Sequence, residues 1–303
     1  MTMIPFQKIE PSHKEVFLPY LQTGRERGCE YTFTNLFLWG RQQAAVVGGY
    51  LTLFSQFEKR SVYPFPVGQG DIRPVLDAII HDARARGIVC RISGMNAEEC
   101  MKLEELYPGQ FRFYPDRDSC DYVYNIEDLA TLKGRKFPKK RNHLNKFKEV
   151  HPDCILQPIT PDNLEAVQNM VYTWYDSKLA ENPQADYHLE QRALHRAFHH
   201  MPELGLEGAI LTENGRILAM TMASQLSDTT FDIHFEKALD ESAYVAINQA
   251  FAAYLQEKYP HIRYLNREDD MGIPTLRKAK LSYQPDHMVI KFWARLWEDS
   301  DED

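Results

Sequence analysis

Between Lys133 and Lys148 the chain places eight Lys or Arg residues and no Asp or Glu. Five of them, Arg135, Lys136, Lys139, Lys140 and Arg141, surround Pro138, a residue suited to the first turn of a helix. Phe137, Leu144 and Phe147 then form one narrow apolar stripe, which leaves most of the lysines to solvent. Cations in a first turn oppose the helix dipole, each by about 0.3–1 kcal/mol. A bound phosphate or carboxylate reverses that effect, because amides and side chains then converge on one anion. tRNA phosphate, a nucleotide-linked precursor and an anionic small molecule all satisfy such a site. The plainer alternative is a solvated basic face. Net charge is −8, so the rest of the chain carries −16 against the +8 of this segment.

A second group lies at Asn266, Glu268, Asp269 and Asp270, after a strand and before a short helix that Gly272 and Pro274 help to begin. These carboxylates either cap that helix or bind an amino group and take its proton as it attacks an acyl carbon. Arg277, Lys278 and Lys280 ride the helix, and Tyr283 follows it. Tyr283 either protonates a leaving group or packs between helix and strand. His234 and Glu236, two apart on a strand, share a face, which makes Glu236 a candidate general base. A solvent-exposed carboxylate at a strand end is the alternative.

Other chemistries find little support. His195 and His199 have helical spacing, but Arg196 stands where a zinc protease carries Glu, so no metal site is expected. No serine occupies a G-x-S-x-G elbow, and there is no glycine-lysine phosphate loop. The five cysteines are scattered, with no C-x-x-C pair, which fits reduced structural thiols in a cytoplasmic protein. The N-terminus carries no long apolar segment, so no secretory signal is expected, and no stretch approaches the roughly 20 apolar residues of a membrane span. Apolar residues make up 44% and charged residues 26%, an ordinary globular balance.

The elements that must position these residues read as an α+β layer. A helix is predicted over 12–24, then strands at 44–47, 50–57 and 62–67, a helix after Asp71, a strand at 88–92, a helix at 96–106, and strands near 111–114 and 122–126. The second half begins with a strand at 155–159, a helix from Pro161 and another over 187–200. Three meandering strands follow, the first two joined by Glu213-Asn214-Gly215-Arg216, a strong hairpin signal. A helix over 243–258, a strand at 262–265, a helix at 274–281 and a strand at 288–293 complete it, with an acidic tail from Glu298. The first half repeats this order roughly. Two domains are therefore expected, 1–150 ending in the basic helix and 151–303 with the acidic tail.

The segments LKGRKFPKKRNHLNKFKE (132–149) and NREDDMGIPTLRKAKLSYQP (266–285) resemble the bacterial family that shares the C-terminal domain of phosphatidylglycerol lysyltransferase. That resemblance implies two tandem GNAT-like (acyl-CoA N-acyltransferase-like) domains, with mixed, mostly antiparallel sheets flanked by helices. It also implies kinship with Fem peptidyltransferases, which move amino acids from aminoacyl-tRNA to an amine or hydroxyl. On this plan Lys280 falls where the relatives carry a lysine thought to stabilise the oxyanion of the tetrahedral intermediate. The expected activity is acyl transfer, with aminoacyl-tRNA as donor, in a cleft between or within the two units. A coenzyme A-dependent N-acyltransferase is the alternative enzyme. A non-catalytic anion-binding module is the alternative outside catalysis. The segment HFEKALDESAYVAINQ (234–249) has no glycine to let backbone approach a pyrophosphate, which speaks against coenzyme A. No protein partner is implied.

Overall fold

The computed structural model describes residues 3–22, 28–57 and 60–297. The acidic tail from Glu298 and the last two residues of the helix predicted over 12–24 lie outside them. The chain forms two compact units, one made of residues 1–121, 269–272 and 289–303, the other of 122–268 and 273–288.

The first unit is built on an eight-stranded sheet in the order Gln7–Lys8, Gln42–Val47, Tyr50–Phe57, Arg60–Pro64, Arg91–Met95, Phe292–Leu296, Phe111–Pro115, with Val67–Gly68 paired to Tyr50–Phe57. Arg60–Pro64 and Arg91–Met95 run parallel, and the helix Arg73–Ala85 forms their connection. That helix buries Val75, Leu76, Ile79, Ile80 and Ala83, the 3.6-residue stripe legible in the sequence. The aromatic segment near residue 35 is helical: Phe33–Trp39 is capped by Thr32, whose hydroxyl accepts from Asn35 N–H at 3.0 Å.

The second unit has a seven-stranded sheet in the order His287–Val289, Asp121–Asn125, Tyr264–Asn266, Thr230–Ala238, Arg216–Ser227, Glu207–Glu213, Ile155–Pro158. The predicted hairpin is present, with Asn214 and Gly215 both at positive φ (51° and 78°), the geometry that twists correctly into antiparallel strands. Thr230–Ala238 runs parallel to Tyr264–Asn266, and the helix Glu241–Lys258 bridges them. Each unit therefore contains an antiparallel run of strands, a helix and a parallel strand. The basic helix Pro138–Val150 and the short helix Ile126–Thr131 pack on Glu241–Lys258, burying Phe137, Leu144 and Phe147 as expected.

The division expected at residue 150 falls elsewhere, for a pairing reason. In each sheet the strand next to the parallel pair comes from the other half of the chain: Phe292–Leu296 beside Arg91–Met95, and Asp121–Asn125 beside Tyr264–Asn266. The basic helix consequently belongs to the second unit. The single strand expected over 288–293 is two strands in two sheets, broken at Ile290-Lys291. Lys291 explains the break. Its ammonium is buried in the first unit, 2.6 Å from Glu30 Oε2 and 2.7 Å from Asp121 Oδ1.

Candidate functional site

In the second unit the parallel pairing is short. It covers Thr230–Asp232 against Tyr264–Asn266, after which one strand continues to Ala238 and the other turns away at Arg267 and Glu268. Glu268 takes the left-handed conformation in that turn (φ 58°), and Asn266 Oδ1 accepts its N–H at 2.7 Å. Glu236 and Arg267 flank the parting. Arg267 Nη2 donates to Glu236 Oε1 at 3.2 Å and Oε2 at 3.4 Å, and Asn248 Nδ2 lies 2.8 Å from both oxygens. Each partner of the ion pair keeps only 14% of its side-chain surface exposed. Burial raises the Glu236 pKa, and Arg267 works against that rise.

Aromatic rings complete the surroundings. The Arg267 guanidinium lies 4.8 Å from the centre of the Tyr283 ring and 5.6 Å from that of Tyr124. Lys140 Nζ lies 3.6 Å from the Tyr283 ring centre. Burial lowers the Lys140 pKa to about 8, with Arg267 adding to the effect and Glu236 and Glu241 opposing it. Burial pushes Tyr283 up to about 12. Lys280 Nζ donates to the carbonyls of Arg267 and, at 3.2 Å, Glu268, while Tyr124 donates to the Lys280 carbonyl at 2.8 Å. Lys280 therefore holds the turn that carries Arg267.

Residues singled out in the sequence thus separate into groups. Glu236, Lys140, Lys280 and Tyr283 meet around Arg267. Arg135, Lys136 and Lys139 are exposed, with Lys136 3.4 Å from Asp128. Arg141 is bound to its own loop, donating to the carbonyls of Leu132 at 2.6 Å and Gly134 at 2.7 Å. The N-cap residue Phe137 supplies no side-chain acceptor to the basic helix. Asp269 Oδ1 accepts Met271 N–H at 3.1 Å, and Asp270 pairs with Arg117 at 3.2 Å, so both shape the turn before the helix Pro274–Leu281. Arg277 is half-buried on that helix.

Arg267 and Asn248, which link the group, were not singled out in the sequence, because neither spacing nor type marks a partner 31 or 12 residues from Glu236. Of the neighbours of His234, Glu268 was singled out, while Ser224 and Asp232 were not. A register shift between Met222 and Ala223 makes His234 the extra residue of a bulge. Its Nε2 lies 2.7 Å from Ser224 Oγ and its Nδ1 3.4 Å from Glu268 and 3.5 Å from Asp232. His234 and Glu236, expected to share a face, have different partners. Asp232, His234 and Glu268 place donor atoms within 4.8 Å of one another, as do Cys29, Glu30 and Asp121 in the first unit, where the Lys291 ammonium binds both carboxylates.

The helix after the long central strand has a capped N-terminus. Asp240 caps it, its Oδ1 accepting Ala243 N–H at 2.9 Å and the Ser242 hydroxyl at 2.6 Å, and Glu241 follows in the first turn. A capped, acidic N-terminus repels a pyrophosphate.

Two sheets with these parallel pairs and flanking helices define a mixed α+β protein. The chain belongs to the family of the phosphatidylglycerol lysyltransferase C-terminal domain, whose profile matches residues 22–295. A conserved protein of unknown function from Bacteroides thetaiotaomicron VPI-5482 is 37% identical, covering 97% of this chain and 100% of its own, with a TM-score of 0.90. L-PGS from Bacillus licheniformis shares the fold at 16% identity and a TM-score of 0.66, covering 95% of this chain and 92% of its own. FemX does so at 8% identity and 0.62, covering 97% and 98%. An uncharacterized protein of Mycoplasmoides gallisepticum is 25% identical over 180 residues, 59% of this chain and 56% of that protein's length. Among the described residues no helix is long and apolar enough to cross a membrane.

Proposed function

We propose that this chain is an acyltransferase that moves an aminoacyl group from aminoacyl-tRNA to an amine or hydroxyl. The observation that carries the reading is the grouping of Glu236, Arg267, Lys140, Lys280 and Tyr283 where the parallel strands part. Acyl transfer needs positive charge near the developing oxyanion and a group to take the proton of the attacking amine. Lys280 and Arg267 supply the first. Glu236, made more basic by burial, supplies the second once Arg267 shifts toward substrate. Tyr283 protonates the leaving group, and Asn266, Glu268 and Arg277 border the acceptor. Asp269 is the weaker proton acceptor, since its carboxylate holds a turn. Arg135, Lys136 and Lys139, at a helix start with no capping side chain, hold donor phosphate.

The parting of the strands is also what a coenzyme A donor would use. The Asp240 cap weighs against it, because the amides that would meet the pyrophosphate already face a carboxylate. The test is binding of tRNA, aminoacyl-tRNA and acyl-coenzyme A to the purified chain, followed by transfer of a labelled amino acid to amine acceptors. The reading expects aminoacyl-tRNA to bind and Arg135→Ala with Lys139→Ala to weaken it. Binding of acyl-coenzyme A alone would reverse the choice of donor, and binding of neither would leave an anion-binding module.

A further inference from the structure

Lys140 differs from the other cations of its segment. Arg135, Lys136 and Lys139 face solvent and Arg141 grips its own loop, while Lys140, at the third position of the helix Pro138–Val150, is half-buried with its Nζ over the Tyr283 ring. Lys237 and Lys291, the buried lysines among the described residues, are each held by a carboxylate at 2.6 Å. Lys140 makes no ion pair among the described residues. The charged groups that act on it are Arg267, which repels the ammonium, and Glu236 and Glu241, which favour it. It thus presents a primary amine at the same place as the candidate acyl-transfer groups, its ammonium held by the face of the Tyr283 ring and by no carboxylate.

We infer that Lys140 is itself an acyl acceptor, whose amine takes the acyl group of an activated ester or acyl phosphate brought to this site. The inference rests on the reading of the site as an acyl-transfer centre. In the step, the Nζ lone pair attacks the carbonyl carbon and the bond from that carbon to the ester or phosphate oxygen breaks. The departing oxygen keeps that electron pair, and the second Nζ proton passes to it or to solvent. The product is an Nζ-acyl lysine, which removes a positive charge beside Arg267.

Reactivity follows from proton occupancy. At pH 7.5 an amine with a pKa of about 8 is roughly one-quarter neutral, against about one in a thousand for an ordinary lysine. Lower basicity takes back about tenfold of that gain in nucleophilicity.

The experiment treats the full chain with limiting acetyl phosphate, and separately with N-hydroxysuccinimidyl acetate, from pH 6.5 to 10, and maps acetyl-lysines by peptide mass spectrometry. Lys140 is expected to react about tenfold faster than Lys139 or Lys146 at pH 7.5, with a rate half-maximal near pH 8. Lys140→Arg is expected to abolish only that product. Acetylation of Lys140 no faster than Lys139, or with a pH profile still rising at 10, overturns the inference whatever donors the protein binds. Selective acetylation of Lys140 in a protein that binds no aminoacyl-tRNA upholds it while removing the proposed donor.

Discussion

Arg267 Nη2 bridges both oxygens of Glu236, at 3.2 and 3.4 Å, from a residue that immediately follows a three-residue strand. The pair is mostly buried, so each charge depends on the other. Removing one partner of such a pair costs about 3–5 kcal/mol, whereas replacing both by apolar residues is often neutral. Arg267→Met is therefore expected to lower stability by that order, and Arg267→Met with Glu236→Leu to recover much of it, in urea denaturation. Additive losses in the double variant would show that the two residues do not act as a pair.

Lys140 gives a pH-dependent contribution with a definite sign. Its pKa falls from an ordinary 10.5 to about 8 on folding, so between those values the unfolded chain holds more protons. Stability due to this group therefore rises with pH through that window and is lost as pH falls through about 8. Lys140→Met is expected to gain stability relative to the unaltered protein at pH 6.5 and to lose that advantage by pH 10. Because the amine is only half-buried, solvent screening holds the effect to about 1 kcal/mol. Denaturation midpoints of both proteins across pH 6.5–10 read it directly.

Among the cations of the basic segment, Arg141 is held by its own loop while Arg135 and Lys139 are exposed. Arg141→Ala breaks two hydrogen bonds to the Leu132 and Gly134 carbonyls and is expected to cost about 1–3 kcal/mol. Arg135→Ala with Lys139→Ala is expected to leave stability within about 0.5 kcal/mol, because both are exposed. Only the second change should lower the salt dependence of tRNA binding. A salt slope unmoved by that variant would place the donor elsewhere.

In the first unit Lys291 neutralises Glu30 and Asp121 from a buried position. Burial works to lower its pKa, but Asp121 and Glu30 more than reverse this and hold it well above the ordinary value. Lys291→Met leaves two carboxylates together and is expected to cost about 3–5 kcal/mol, measurable by thermal or urea unfolding. Gly28→Ala is expected to displace this ion pair and lower stability in the same unfolding measurement, since a Cβ there would lie 2.1 Å from Glu30 Oε2 and 2.4 Å from Lys291 Cε.

A simpler expectation concerns the helix Glu241–Lys258. Asp240→Ala removes its cap and should destabilise by about 0.5–2 kcal/mol. If the variant then gained affinity for coenzyme A, the Asp240 carboxylate would be confirmed as what keeps a pyrophosphate away.

Local patterns made much of the fold legible. Asn214-Gly215 specified a hairpin, the stripe from Val75 to Ala83 a helix, and Phe137, Leu144 and Phe147 the buried side of the basic helix. These depend on turn geometry and periodicity within a few residues, which a sequence records directly. The basic segment was visible for the same reason, since eight cations within 16 residues need no partner to be noticed. Pairing across the chain was beyond that reach. It sends Asp121–Asn125 and Phe292–Leu296 into sheets formed largely by the other half, and divides one apparent strand at Lys291. Tertiary structure alone decided that Lys140 leaves the solvated row for Tyr283, that Arg141 serves its loop, and that Arg267 joins Glu236. Type and order therefore determined that this chain carries a concentrated positive charge at a helix start. Which of those cations remain available to a ligand was decided by burial, because burial sets both the partner and the proton affinity of each.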